Sequence, residues 1–170
     1  MIYLFIGFFF IFIDWQISLG VGTLDVCPNL IGYALILIGA KGLREESRRF
    51  DRVHITAWCL LGVSALQLVL SLLGILSEGI ISAVISVAVT IAFLYLTREI
   101  SSGAKEMEAR RNRPIGAGKL ETAWGFLCVG SLLMYAPLLL PSIYLTCVML
   151  QILSYIWFEY SVYVIYSKTK

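Results

Sequence analysis

The sequence predicts an all-α protein, an integral membrane bundle of about six transmembrane helices in three hairpins, with both termini cytoplasmic. Three observations predict it. Apolar residues make up 59% of the 170-residue chain and charged residues only 14%; with a mean hydropathy of +0.88 this lies outside the usual range of soluble domains. The apolar residues come in runs of roughly 18–25, each long enough for a membrane-crossing helix. All 13 lysines and arginines fall in alternate breaks between those runs.

The runs are residues 2–19, 26–43, 55–76, 80–96, 122–140 and 143–166. At about 1.5 Å per residue each covers a hydrocarbon layer of about 30 Å, the second and fourth with little to spare. Lys41, Arg44, Arg48, Arg49 and Arg52 follow the second run. Arg98, Lys105, Arg110, Arg111, Arg113 and Lys119 follow the fourth, and Lys168 and Lys170 follow the sixth. The other loops, 20–25, 77–79 and 141–142, carry no cation. The positive-inside rule then makes the basic side cytoplasmic in a cell membrane. The first run has no basic leader and ends on Asp14, Trp15 and Gln16, so it reads as a span and not as a cleaved signal. No repeat of 20–50 residues occurs, and residues 1–170 read as one transmembrane domain. Within the cytoplasmic loop 98–119, Glu106 and Arg110 stand four apart and favour a helical extension of the fourth span. Pro114, Gly116 and Gly118 then break it.

The break after the first run predicts a tight turn into the second helix. Asp25 is the better N-cap and Cys27 the other, and Pro28 suits the first turn, where its missing N–H costs no bond. Gly32 and Gly39, seven apart, share a face and allow a neighbouring backbone to approach.

Asp14, Trp15, Gln16, Leu24, Asp25, Pro28, Asn29, Gly32, Tyr33, Gly39, Gly42, Leu43 and Phe50 together resemble the N-terminal signature of uncharacterised small polytopic bacterial membrane proteins. That signature is an acid, two apolar residues, Pro, Asn or Asp, an apolar residue and Ile-Gly-Tyr, followed by a glycine-containing helix and a basic loop. The match covers about the first fifty residues, and Cys27 stands where an aliphatic residue is expected. The resemblance implies a bacterial cell membrane and no particular activity. Pro28, Asn29, Gly32, Tyr33 and Gly39 have a sufficient structural reading as a turn and a close-packed helix.

Polar residues inside the runs need partners. Asp14 lies about 18 Å along its helix, towards the outer leaflet. A carboxylate at the centre of a span costs about 2.5–3.5 kcal/mol and should face other helices or water. Gln151, Tyr155 and Glu159 recur every four residues and draw a polar line on the sixth helix. Ser64, Gln67, Ser71, Gly74 and Glu78 follow a 3-4-3-4 spacing on the third, and Ser82, Ser86 and Thr90 stand four apart on the fourth. For the serine and threonine stripes, helix packing is the plainer account. Asp14, Asp25, Gln67, Gln151, Tyr155 and Glu159 form the candidate ligand-binding set, for a cation, an amine or another small ligand.

Several chemistries fail on named residues. Cys27, Cys59, Cys128 and Cys147 contain no CxxC pair and His54 is the single histidine, so no metal site or cofactor is expected. Gly116, Gly118 and Lys119 fall short of a phosphate loop because Arg113 and Leu120 hold its end positions. Glu45 and Glu46 lack the intramembrane histidines that a di-glutamate protease needs. Short basic loops give nucleic acid no face to bind. Three roles stay open: a non-catalytic binding or accessory subunit with a membrane partner or a second copy; a small transporter or substrate-binding subunit; and an enzyme using Asp14 and Asp25 as paired acids. The expected partners are the lipid bilayer and a membrane protein.

Overall fold

The computed structural model describes residues 1–12, 16–18, 23–25, 28–73, 80–135 and 141–169. Six helices carry the fold: α1 (Ile2–Phe12), α2 (Pro28–Lys41), α3 (Arg49–Leu72), α4 (Ile80–Arg111), α5 (Ala117–Leu133) and α6 (Tyr144–Thr169), the last entered through a 3-10 turn at Pro141–Ile143. Between α1 and α2 runs a short antiparallel ribbon of β1 (Gln16–Ser18) and β2 (Thr23–Asp25), with Gln16 opposite Asp25 and Ser18 opposite Thr23.

Each helix packs on the next in sequence, and α1 closes the ring against α6. Neighbours run antiparallel. Leu4 meets Gly39 while Ile11 meets Gly32 across α1 and α2. Phe5 meets Tyr163 while Phe12 meets Tyr155 across α1 and α6. Aromatic rings fill the centre. Phe8 and Phe158 are fully buried, with centroids 5.2 Å apart and edge to face, and Phe93 of α4 stands edge-on to both Phe8 and Phe12. Such geometry sets the negative face of one ring against the positive edge of the next.

The outer surface is as apolar as the centre. Leu66, Ile91, Leu132 and Leu145 are all more than half exposed, a distribution that water would penalise and acyl chains do not. Three helices, over Arg49–Leu70, Val84–Arg111 and Tyr144–Thr169, are long and apolar enough to cross a membrane. These two features point to a membrane location.

Two expectations need correction. The first run does not stay helical through residue 19. α1 ends at Phe12, about 16 Å long at 1.5 Å per residue, and Gln16–Ser18 is extended. The glycines at 20 and 22 and the alternation of polar and apolar residues from Gln16 to Ser18 favour a ribbon, which satisfies the backbone by pairing instead of by a helical turn. Asp25 accordingly sits in β2 opposite Gln16 and not at the head of α2. Pro28 does open α2, as its missing N–H suggests.

Gly32 and Gly39 face α1, and the seam is closer than their spacing alone implies. A Cβ on Gly32 would stand 2.7 Å from the Gly7 carbonyl oxygen, and one on Gly39 would stand 3.0 Å from the Leu4 nitrogen. Gly7 completes the contact from the other side, with the Gly32 carbonyl 2.8 Å from where its Cβ would be. Phe50 is also fully buried, its ring lying against Gly103 of α4. As the sequence predicts, α4 continues past residue 98 as a helix, reaching Arg111. Asn112 then takes a positive φ of 48° and ends it.

Candidate functional site

Among the described residues, the members of the proposed ligand set face different neighbours. Asp14 lies outside the described residues, and Asp25 is described as backbone in β2. Gln67 is half-buried on α3. On α6, Gln151 is buried and its amide donates to Ser131 Oγ of α5 at 3.3 Å. Gly130 makes room for that contact, since a Cβ there would fall 2.7 Å from Gln151 Oε1. Tyr155 turns the other way and stacks on Phe12 of α1, centroids 4.2 Å apart and planes within 10°. Glu159 is half-buried, and its Oε1 has no hydrogen-bond partner among the described residues.

Helical geometry explains the divergence. With 3.6 residues per turn, a step of four overshoots a full turn by about 40°, so residues 151 and 159 point about 80° apart. A ring with α5 on one side of α6 and α1 on the other converts that drift into different neighbours. Other polar groups inside the bundle also join helix to helix. Ser154 Oγ donates towards the carbonyl of Phe126 at 3.2 Å and that of Leu150 at 2.8 Å, and Tyr135 donates to Thr90 Oγ1 at 3.1 Å. The Trp124 indole N–H donates to the Leu94 carbonyl at 3.1 Å, with Arg98 over the ring at 5.6 Å. Hydrogen bonds of this type fasten helices in lipid without any ligand.

The densest chemistry lies at the end of the bundle where α2, α4 and α6 finish and α3 and α5 begin. Glu99 of α4 is 95% buried by its side chain and lies 3.5 Å from Arg49 Nη1 and 3.6 Å from Arg52 Nη1. Arg49 also donates through Nε to Glu106 at 2.8 Å, and Ser47 donates its hydroxyl to the same carboxylate. Ser47 Oγ accepts the Arg49 backbone N–H at 3.1 Å, satisfying a free donor at the start of α3. Arg110 holds the carbonyls of Glu45 and Glu46, and Arg111 pairs with Glu46. Lys105 reaches Glu121 of α5. Together these side chains bind the 42–48 turn to α4.

The sequence contained a signal for this cluster. Glu99 and Glu106 are seven apart on one face of α4, and Arg49 and Arg52 are three apart on one face of α3. The two faces become a single site only once α3 and α4 are known to be neighbours. Glu106 and Arg110, expected to pair with each other, are instead drawn to different parts of the 42–52 segment.

Glu108 has a separate task. One of its carboxylate oxygens accepts the backbone N–H of Gly116 at 3.1 Å and of Ala117 at 2.8 Å. Gly116, with φ +100°, heads α5 and offers no side-chain cap of its own. The carboxylate therefore satisfies two orphan donors and sits at the positive end of the α5 dipole. Alanine at 108 is expected to destabilise the chain by about 1 kcal/mol. Amide hydrogen exchange at residues 116–120 should accelerate in that variant while residues 126–133 keep their protection; unchanged exchange at 116–120 rules the cap out.

A second expected result follows from Glu46. The hydrogen bond from Arg111 holds its carboxyl below the usual range; desolvation opposes this and the charges of Arg111 and Arg110 add to it. A folded-state pKa below the unfolded value stabilises the fold above the unfolded pKa, about 4.3 for Glu. That contribution is lost as pH falls through the folded value. Protection of the 42–48 amides, corrected for intrinsic exchange, should drop between pH 6 and about pH 3, and Glu46→Gln should lose that part of the pH dependence.

Chemically, the cluster is a structural clamp. Ser47 faces Glu106, but Glu106 is committed to Arg49 and no histidine joins them, so a relay that could activate the hydroxyl is missing among the described residues. No group of three His, Cys, Asp or Glu side chains among the described residues is placed to hold a metal. An open cleft of about 580 Å³ lined by Glu46, Ser47, Arg48, Glu106 and Arg110 carries both signs of charge.

The fold and these interactions define a helical bundle of membrane type with an ion-paired end. Comparisons with protein families, with curated proteins and with solved structures find no match.

Proposed function

We propose that the chain is a non-catalytic integral membrane protein, a binding or accessory subunit for another membrane protein, with its six helices in the membrane and both termini in the cytoplasm. One observation carries the reading. Gln151 and Ser154 inside the bundle bond to the neighbouring helix α5, and aromatic rings fill the centre beside Tyr155, where a solute pathway needs polar space. The orientation is supported by cations gathering at the end that holds the Arg49, Arg111 and Lys105 ion pairs, which the positive-inside rule makes cytoplasmic. The resemblance of the first fifty residues supports a bacterial cell membrane as its location.

Affinity purification from native membranes in mild detergent tests the role. A stoichiometric membrane protein should accompany the chain and be lost when Arg48 and Arg113, exposed cations of the charged end, are both changed to Glu. Recovery of the chain alone after crosslinking in intact cells would count against a subunit role. Labelling of single cysteines at positions 45 and 113 only after permeabilisation is the expected topology result.

The second reading is a small transporter or substrate-binding subunit. Its support is Glu159, whose Oε1 is buried without a partner among the described residues on a helix long enough to span. Solute uptake abolished by Glu159→Gln, with folding intact, would favour it over the first.

A further inference from the structure

Where α1 begins and α2, α4 and α6 end, the four helices border an open hollow of about 350 Å³. Its inner surface is apolar: Met107 of α4 is fully buried and Leu43 nearly so. Ile2 and Ile38 belong to its wall and remain 40% and 54% exposed, so the fold leaves apolar surface there uncovered. At the rim stands Arg111. Its Nε and Nη2 face Glu46, which leaves Nη1 without an acceptor among the described residues. Although Arg111 is paired with Glu46, its guanidinium therefore keeps one N–H edge for a further anion.

We infer that this hollow binds a single-chain amphiphile with an anionic head, a long-chain carboxylate, with its alkyl chain over Ile2 and Ile38 and its head at Arg111. The volume sets the size, since about 300–1,000 Å³ is usual for ligand pockets and this one is near the lower bound, which suits one chain better than two. The alkyl part gains by covering the apolar wall. A carboxylate takes the open edge of a planar guanidinium in a charge-assisted hydrogen bond, which a cationic or neutral head cannot make.

Gly42 makes the test clean. It lines the hollow, and a Cβ there would meet nothing nearer than the Gly39 carbonyl at 3.7 Å. Gly42→Leu therefore fills the space without a clash, and Ile38→Trp does so from an exposed wall position. The full chain in nanodiscs is titrated with pyrene-labelled dodecanoate, with the pyrene-labelled alcohol and trimethylammonium of equal chain length as controls. Saturable binding of the carboxylate is expected, about tenfold weaker in Gly42→Leu and in Ile38→Trp, with melting temperatures unchanged. Arg111→Gln should weaken the carboxylate by a similar factor and leave the alcohol alone, while Glu46→Gln keeps or improves carboxylate binding. Equal binding of all three head groups, or wild-type affinity in both filling variants, overturns the proposal.

Discussion

Alanine at position 32 lowers the stability of the folded bundle by about 1–3 kcal/mol, while alanine at 62 or 125 leaves it unchanged or slightly raised. The contrast isolates packing from helix propensity. Exchanging glycine for alanine in a helix interior is worth up to about 1 kcal/mol in favour of alanine, and at Gly62 and Gly125 nothing lies within 4 Å of the new methyl. At Gly32 the methyl would stand 2.5 Å from Ile11 Cγ1 and 2.7 Å from the Gly7 carbonyl oxygen. The isoleucine can rotate. The carbonyl belongs to the α1 backbone, so the helices must part. In lipid, close contact between helices is itself the main attraction, because the acyl chains are as apolar as the side chains. Unfolding in increasing sodium dodecyl sulfate, followed by tryptophan fluorescence, reads the difference, and a Gly32→Ala midpoint equal to wild type would remove the seam from the account.

Changing Arg49 and Arg52 together to Met is expected to cost about 2–3 kcal/mol, and adding Glu99→Gln to restore part of it, the Arg49–Glu106 pair staying lost. The Glu99 side chain is 5% exposed, and these two guanidiniums are its ion-pair partners. Stripping both leaves an uncompensated buried carboxylate, for which about 3–5 kcal/mol is typical. The figure is reduced here because the arginine side chains are 36% and 60% exposed, so part of their attraction is screened by water. Arg52→Met alone should do less, since Arg49 remains. Rescue by glutamine is the decisive arm: loss of packing from two long side chains is not repaired at position 99, whereas loss of charge compensation is. The same detergent titration reads all three variants.

How far the sequence foretold the structure depends on the range of the interaction. Pro28 at the head of α2, the glycine face of that helix and the continuation of α4 through Glu106 all rest on signals within one helix, and they stand in the structure. The end of α1 at Phe12 was hidden because hydropathy continues smoothly to Ile13. The polar line on α6 diverges for a different reason. Periodicity placed Gln151, Tyr155 and Glu159 on one side of α6, but the ring order decides that Ser131 takes one and Phe12 another. The clamp of Glu99, Glu106, Arg49 and Arg52 joins residues about fifty positions apart, so its members appeared as ordinary solvated charges.

At thirty-two residues, α4 is about 48 Å long at 1.5 Å per residue, some 18 Å more than a hydrocarbon layer of about 30 Å requires. Set in a bilayer, it is a rod with an overhang. A lean of about 20°, ordinary for a spanning helix, swings the free tip sideways by about 6 Å. Glu108 ties that tip to the first turn of α5 and Arg110 ties it to the turn before α3, so a change in bilayer thickness is geared into a sideways stroke shared by three helices.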